Sequence, residues 1–337
     1  MGNRDISLLL VGVVIGLMIA VGGFTLYVRN TTADDSGVIT LRLAHGLDAS
    51  HPVHQGMVYM AERLAEKSDG AARIQIIAGG VLGSERDNVE QLGRGALAIT
   101  KVSAAAMEAF IPEMGLFSLP YIFRDHDHFW RVLHSPLGQE MLSLGNAAGY
   151  RGLCYYDSGS RNFYTTTRPI LTPDDLRGQK IRVMESRTSM DMIRVMGGEP
   201  TPISWGELYT SLQQGVVDGA ENNPPSFYTS RHYEVCKFFS MNAHTRIPDI
   251  LLINADIWNA LPIEIQVWLQ EAADESSVYQ RELWRIETER SLEEVQARGV
   301  EVHYPDTAPF VERVQPLIER YEGTRLGELI QKIRDIE

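Results

Sequence analysis

The sequence predicts an α/β protein of two lobes, and three observations carry that expectation. The 337 residues exceed the usual size of one hydrophobic core. Strand-like and helix-like patterns alternate along the chain, and the alternation restarts near residue 162. One helical pattern over residues 262–297 would run about 54 Å if straight, longer than either lobe needs. With 44% apolar and 22% charged residues, the chain reads as globular throughout.

In the first lobe, Val38, Thr40 and Arg42 alternate with Ile39, Leu41 and Leu43, which predicts a strand over 37–44. A polar, His-rich loop over 45–54 follows. Val53, Met57, Met60, Ala61 and Leu64 then make one apolar helical stripe, stopped by Ser68, Asp69 and Gly70. Residues 74–78 read as a strand, Ser84 caps a helix with Val89 and Leu92 on its inner face, and 96–102 is another strand. This β-α-β-α-β order predicts a largely parallel sheet with helices on both faces. The loop 119–123 leads to two short helices, and a strand over 151–156 runs into residues 157–160, where the chain is expected to cross between lobes.

The second lobe begins at Asn162. A strand over 180–184 is followed by a helix over 189–196 and by a second helix opened by Ser204, with Glu207 three residues on as a capping box and Leu208 and Leu212 facing inward. A strand over 216–220 ends in the polar loop 221–225, and open α/β sheets bind ligands at such strand ends. Pro262 starts the long helix and Gly299 ends it. Its apolar positions, among them Ile265, Trp268, Leu269, Ala272, Leu283, Ile286, Leu292 and Val295, predict a brace shared by both lobes. The alternative is two helices broken near Ser276 and Ser277.

The formal charge is −13, or −14 with residues 1–30 set aside, since Arg4 and Arg29 outweigh Asp5. Such a body is a poor partner for nucleic acid. Residues 6–28 are uncharged and long enough to cross a bilayer, so export is expected, by a cleaved signal or an uncleaved anchor. Cys154 and Cys236 either pair in an oxidising compartment or stand as two buried thiols, the simpler reading.

Arg182 is the most informative side chain. It alternates with Ile181 and Val183 in a strand that otherwise reads as core, and a guanidinium there needs an anion, which its planar fork would take bidentately. An edge position beside an acidic neighbour would explain it as well. Arg161 follows the expected crossover, at a hinge or simply at the surface. Asn222 and Asn223 offer amide groups beside Pro224 and Pro225, for a ligand or for the turn itself. Asp125, His126, Asp127 and His128 resemble metal ligands but equally suit a helix cap. His45, His51 and His54 lack an accompanying carboxylate base. No metal or cofactor is expected, and no nucleophile elbow, Walker loop or dinucleotide fingerprint occurs. The glycine-rich residues 78–83 read as a turn.

Four motifs in order carry a resemblance: LGSE at 82–85, FSLPY at 117–121, LRGQKIRV at 176–183 and LQQGVVDGAEN at 212–222. Over residues 39–321 the chain resembles the DctP family, the solute-binding proteins of tripartite ATP-independent periplasmic (TRAP) transporters. The resemblance implies a periplasmic-binding-protein-like clamshell with hinge strands and a long C-terminal helix spanning both lobes. Residues 38–157 with about 248–285 would form lobe I, and 158–247 with about 286–337 lobe II. It implies a periplasmic, monomeric binder with membrane subunits as partners and no enzymatic turnover. Arg182 would form the main salt bridge to a ligand carboxylate, assisted by Arg161 and Asn222. Met184 stands where many members have Pro.

Residues 221–234 and 244–249 look like members that bind sugar acids such as hexuronates. A uronate, with one carboxylate and several hydroxyls, would suit Arg182, Asn222, Glu85 and His45, with Ser103 and Asn223 beside them. A C4-dicarboxylate would want a second cation, which Arg161 is placed to supply. Keto-acid and sialic-acid binding, or service as a sensory receptor module, remain the alternatives.

Overall fold

Eleven strands form two sheets among residues 37–337, the part of the chain that the computed structural model describes. In chain order they are β1 (Ile39–Ala44), β2 (Ala72–Ile77), β3 (Ile99–Ser103), β4 (Tyr150–Tyr156), β5 (Arg161–Thr165) and β6 (Lys180–Val183), then β7 (Glu199–Pro202), β8 (Gly219–Asn222), β9 (Phe238–Thr245), β10 (Asp249–Asn254) and β11 (Glu301–His303). The first sheet has the order β2-β1-β3-β10-β4, the second β11-β9-β5-β8-β6-β7. The expected parallel pairing holds for β1 with β2 and β3. β10 runs antiparallel to β3 and β4, because it returns from the other lobe, and β5 is antiparallel to β8 and β9 for the same reason. The expected export segment, residues 6–28, lies outside the described residues. Among the described residues no helix is long and apolar enough to cross a membrane.

The helix Pro52–Lys67 buries Val53, Met57, Met60 and Leu64 as its spacing predicts. It meets the long helix at Gly56, where a Cβ would lie 2.7 Å from Gln280 Cβ. That long helix runs unbroken from Ile263 to Ala297. Ser276 and Ser277 do not break it: the Ser276 hydroxyl donates to the Ala273 carbonyl of the same helix and accepts from Tyr156 OH, both at 2.7 Å, and Ser277 Oγ donates to the Tyr155 carbonyl at 2.5 Å. One turn on, the Gln280 amide accepts the Asp157 N–H and donates to the Asp157 carbonyl, both at 2.8 Å. The brace is thereby fastened to β4 up to the crossing. Trp284 then packs beside Gly159, whose φ of +60° would bring any Cβ to 2.8 Å from the indole nitrogen. The seam includes Trp284 rather than Ile286, which is exposed. On the opposite side Tyr121, the end of the FSLPY motif, bridges the lobes through its N–H to the His244 carbonyl (2.9 Å) and its OH to the Asn242 carbonyl (3.0 Å).

Several expectations need correction. The strand expected at 216–220 lies at Gly219–Asn222, and Val216 is 48% exposed, so the polar residues 221 and 222 belong to the strand itself. Ser204 makes no side-chain cap; its hydroxyl donates to the Glu207 carboxylate at 2.8 Å. The reciprocal box occurs at Ser84 and Asp87. The final helix, Arg325–Asp335, does not keep to the second lobe. It binds the first, with the Ile333 carbonyl 3.0 Å from His128 Nε2 and Lys332 Nζ 3.2 Å from Glu140. Asp125 caps the helix His126–His134, accepting the His128 N–H at 2.7 Å. Cys154 and Cys236 are both free and buried.

Candidate ligand-binding site

The carboxyl ends of β1, β3, β6 and β8 and the starting residues of β5 and β10 meet at one cavity of about 320 Å³ between the sheets, a size suited to a small molecule.

The second-lobe wall is built on cations. Arg182 on β6 is 2% exposed, and its Nε donates to the Ile203 carbonyl at 2.8 Å. Its Nη1 is buried without any hydrogen-bond partner, and among the described residues no carboxylate pairs with the group. Burial pulls its pKa down, yet a guanidinium stays charged. The edge position beside an acidic neighbour is thus excluded. The Trp205 ring lies 5.9 Å from the guanidinium carbon and also faces the cavity.

Arg161 is different, because Glu221 takes its charge. Nε bonds to Glu221 Oε2, and Nη2 to Glu221 Oε1 at 2.9 Å. Burial opposes ionisation of Glu221, but Arg161 and His244 together outweigh it and hold the carboxyl down to about 2. Arg161 therefore does not supply the second cation that a dicarboxylate would want. Arg161 Nη1 also donates to Asn222 Oδ1 at 2.9 Å, and that oxygen further accepts from the Asn223 N–H and side chain. This orientation leaves Asn222 Nδ2 without a partner among the described residues, on a residue that lines the cavity. The Asn223 side chain is committed to structure, accepting the Ser226 N–H at 2.8 Å and donating to the Ser158 carbonyl at 3.0 Å.

On the first-lobe wall, Lys101 in the middle of β3 lies 2.8 Å from Glu85 Oε1 and 3.0 Å from Asp249 Oδ1. Burial works against the ammonium, but Asp249 and Glu85 more than offset it, and the net shift is upward. Glu85 Oε1 also accepts the Ser103 N–H at 3.1 Å. Among the described residues the second carboxylate oxygens of Glu85 and Asp249, and the Ser103 hydroxyl, have no partner. His45 sits behind the wall: its Nδ1 accepts the Leu47 N–H at 3.1 Å, so its Nε2 donates to His54 Nδ1 at 3.0 Å. His51 lines the cavity in its place, and its Nε2 lies 3.1 Å from Ser226 Oγ of the other lobe. Burial holds His45 neutral, down to about 3, and His51 well below its ordinary value. The turn 78–83 also belongs to the wall through Gly79, Gly80 and Gly83, all with positive φ.

The sequence reading does not single out Lys101, Asp249, Glu221 or Trp205, and it weighs His51 only as a metal ligand beside His45 and His54. Lys101 carried the same signal as Arg182, a charge within an apolar strand. Asp249 and Glu221 show their roles only once the sheets bring distant segments together. Among the described residues no group of three or more His, Cys, Asp or Glu side chains is placed to hold a metal ion.

Residues 43–324 match the family model of DctP, bacterial extracellular solute-binding protein, family 7. The chain belongs to the DctP family of TRAP solute-binding proteins. A Salmonella typhimurium relative, the uncharacterised protein YiiZ, is 40% identical over 301 residues, covering 88% of this chain and 92% of its own. A TRAP periplasmic solute-binding protein from Xanthobacter autotrophicus with bound β-D-galacturonate is 36% identical with a TM-score of 0.85, over 88% of this chain and 100% of that one. Another, from Roseobacter denitrificans with bound β-D-glucuronate, is 38% identical with the same TM-score and coverage. DctP-family relatives with other names are more distant: the sialic acid-binding SiaP of Vibrio cholerae is 28% identical, over 88% of this chain and 96% of its own. The C4-dicarboxylate-binding DctP of Rhodobacter capsulatus is 29% identical, over 80% and 81%. The two-lobed α/β architecture with its long helix is that of these DctP-family structures, and the family is one of extracytoplasmic transport proteins, not of enzymes.

Proposed function

We propose that this DctP-family protein captures a hexuronate, such as glucuronate or galacturonate, in the cavity between its lobes and presents it to the membrane subunits of a TRAP transporter. The observation that carries this reading is the buried Arg182 Nη1 with no protein partner. An unmatched buried charge costs several kcal/mol, and an arriving carboxylate removes that cost. Asn222 Nδ2 is free to donate to the ligand, and Glu85 Oε2 and the Ser103 hydroxyl are free to accept from sugar hydroxyls. His45 would act only through His54 and the wall in front of it. The hexuronates in structures 36% and 38% identical to this chain support the same ligand class. Contacts from both lobes favour the closed arrangement, so binding shifts an open-closed equilibrium with no covalent change in the ligand. Residues 6–28 serve export to the periplasm, where the protein acts as a monomer.

Thermal shift and calorimetry of the exported chain against glucuronate, galacturonate, sialic acid, C4-dicarboxylates and keto acids test the proposal. Ligand binding to the folded state raises the midpoint, and the hexuronates are expected to raise it most. A larger shift with sialic acid or a dicarboxylate overturns the hexuronate assignment.

A further inference from the structure

The two walls of the cavity carry opposite charge. Among the buried groups of the second-lobe side the Arg161–Glu221 pair is neutral and Arg182 adds one positive charge, whereas Glu185, which also lines the cavity, is exposed to solvent. On the first-lobe side a single ammonium, Lys101, stands between two carboxylates, which leaves one negative charge in excess when both are ionised; burial raises the pKa of Asp249, and Lys101 works against that rise. Arg86, the other cation on that wall, is half-exposed and pairs with Glu90 at 3.3 Å, so it does not neutralise the buried cluster.

We infer that Glu85 and Asp249, held across Lys101, form an anion filter that admits sugar acids with one carboxylate and rejects diacids of the same length, with Asp249 setting the excess charge. This inference rests on the reading of the cavity as a sugar-acid site. A ligand anchored by its carboxylate on Arg182 presents its far end to the first-lobe wall. A hydroxyl there donates to the unused oxygen of Glu85 or Asp249. A second carboxylate has no hydrogen to give, and it becomes a third anion around one ammonium in a water-poor space. Like charges brought together in this way oppose binding strongly. Lys101 explains how two acids that line the cavity can sit side by side in the empty protein: it binds one oxygen of each, and the other has no hydrogen bond among the described residues. Were Lys101 instead the anchor for a second carboxylate, the preference would run the other way.

Galactonate and galactarate test this, since they share an open six-carbon chain and differ only in a CH₂OH or a carboxylate at one end. Calorimetry on the wild type should show galactonate bound about 100-fold or more tighter than galactarate. Asp249→Asn should lower that ratio by about tenfold or more, through gained affinity for galactarate. Glu85→Gln should move it the same way and serves if Asp249→Asn fails to fold. Galacturonate is the control and replaces galactonate in the ratio if galactonate binds too weakly to measure. Galactarate bound as well as galactonate by the wild type, or an unmoved ratio in the folded variants, overturns the filter. Absence of galacturonate binding to the wild type overturns the sugar-acid reading instead, and the two failures are distinct.

Discussion

Lys101 and Arg182 face one cavity from opposite lobes, and their difference shows what distinguishes a binding group from a wall. Each is a cation inside a short strand, and each is almost fully buried, at 4% and 2% exposure. Lys101 has two carboxylates within 3.0 Å. Arg182 has one carbonyl and an Nη1 with nothing opposite it. Burial of a charge therefore does not by itself mark a ligand site; a missing counter-charge does. Arg161 stands between the two cases, since Glu221 supplies its counter-charge from the next strand.

The largest expected effect comes from making Arg161 resemble Arg182. Glu221→Gln leaves a second buried guanidinium unmatched and should lower stability by about 3–5 kcal/mol in urea titration; unchanged stability would break the comparison. Removing the unmatched charge should do the reverse. Arg182→Met is expected to leave the ligand-free protein at least as stable, while galacturonate affinity in calorimetry falls by about 2–5 kcal/mol. Acid sharpens the same contrast. His45 and His51 are neutral in the fold but bind protons when unfolded below their ordinary 6.5, so the unfolded state gains protons and stability falls as pH drops below 6.5. Glu221 adds a further loss from 4.5 downward toward about 2, where its pairing with Arg161 is titrated away. Thermal midpoints across pH 7 to 3 should decline throughout, and a midpoint that rises on acidification contradicts both assignments. The smallest effect belongs to Ser103→Ala, whose hydroxyl bonds to no protein group: affinity should fall by about 1 kcal/mol and stability should stay within about 0.5 kcal/mol.

The fold was readable wherever burial imposes a period. The stripe of the helix Pro52–Lys67 and the long helix Ile263–Ala297 follow from apolar spacing, and the lobe crossing follows from a strand running into a Ser- and Gly-containing segment. Where polar residues are buried, the pattern misleads. The strand expected over 216–220 lies later, because Glu221 and Asn222 look like loop residues in sequence yet are buried with Arg161. The resemblance puts residues 286–337 in the second lobe as one block, and it carries no signal for the contacts of the final helix with His128 and Glu140 in the first. In the site, the Arg182 signal was local to one strand, whereas the role of Asp249 depends on Glu85 and Lys101, brought together by β3 pairing with β10.

The fastening of Gln280 to Asp157 has a mechanical side. With both backbone groups of Asp157 held by one side-chain amide, the chain stays as stiff as a sheet strand until that residue. Along this crossing, any turning of one lobe against the other has to begin beyond it, in three residues that include the left-handed Gly159 beside the Trp284 indole, and the return crossing over 246–248 is tied to it by the Ser158 hydroxyl, which donates to the Ile247 carbonyl at 2.5 Å. Two crossings this short, side by side, leave little chain in which such a turning can be taken up, so it falls on the backbone angles of those few residues.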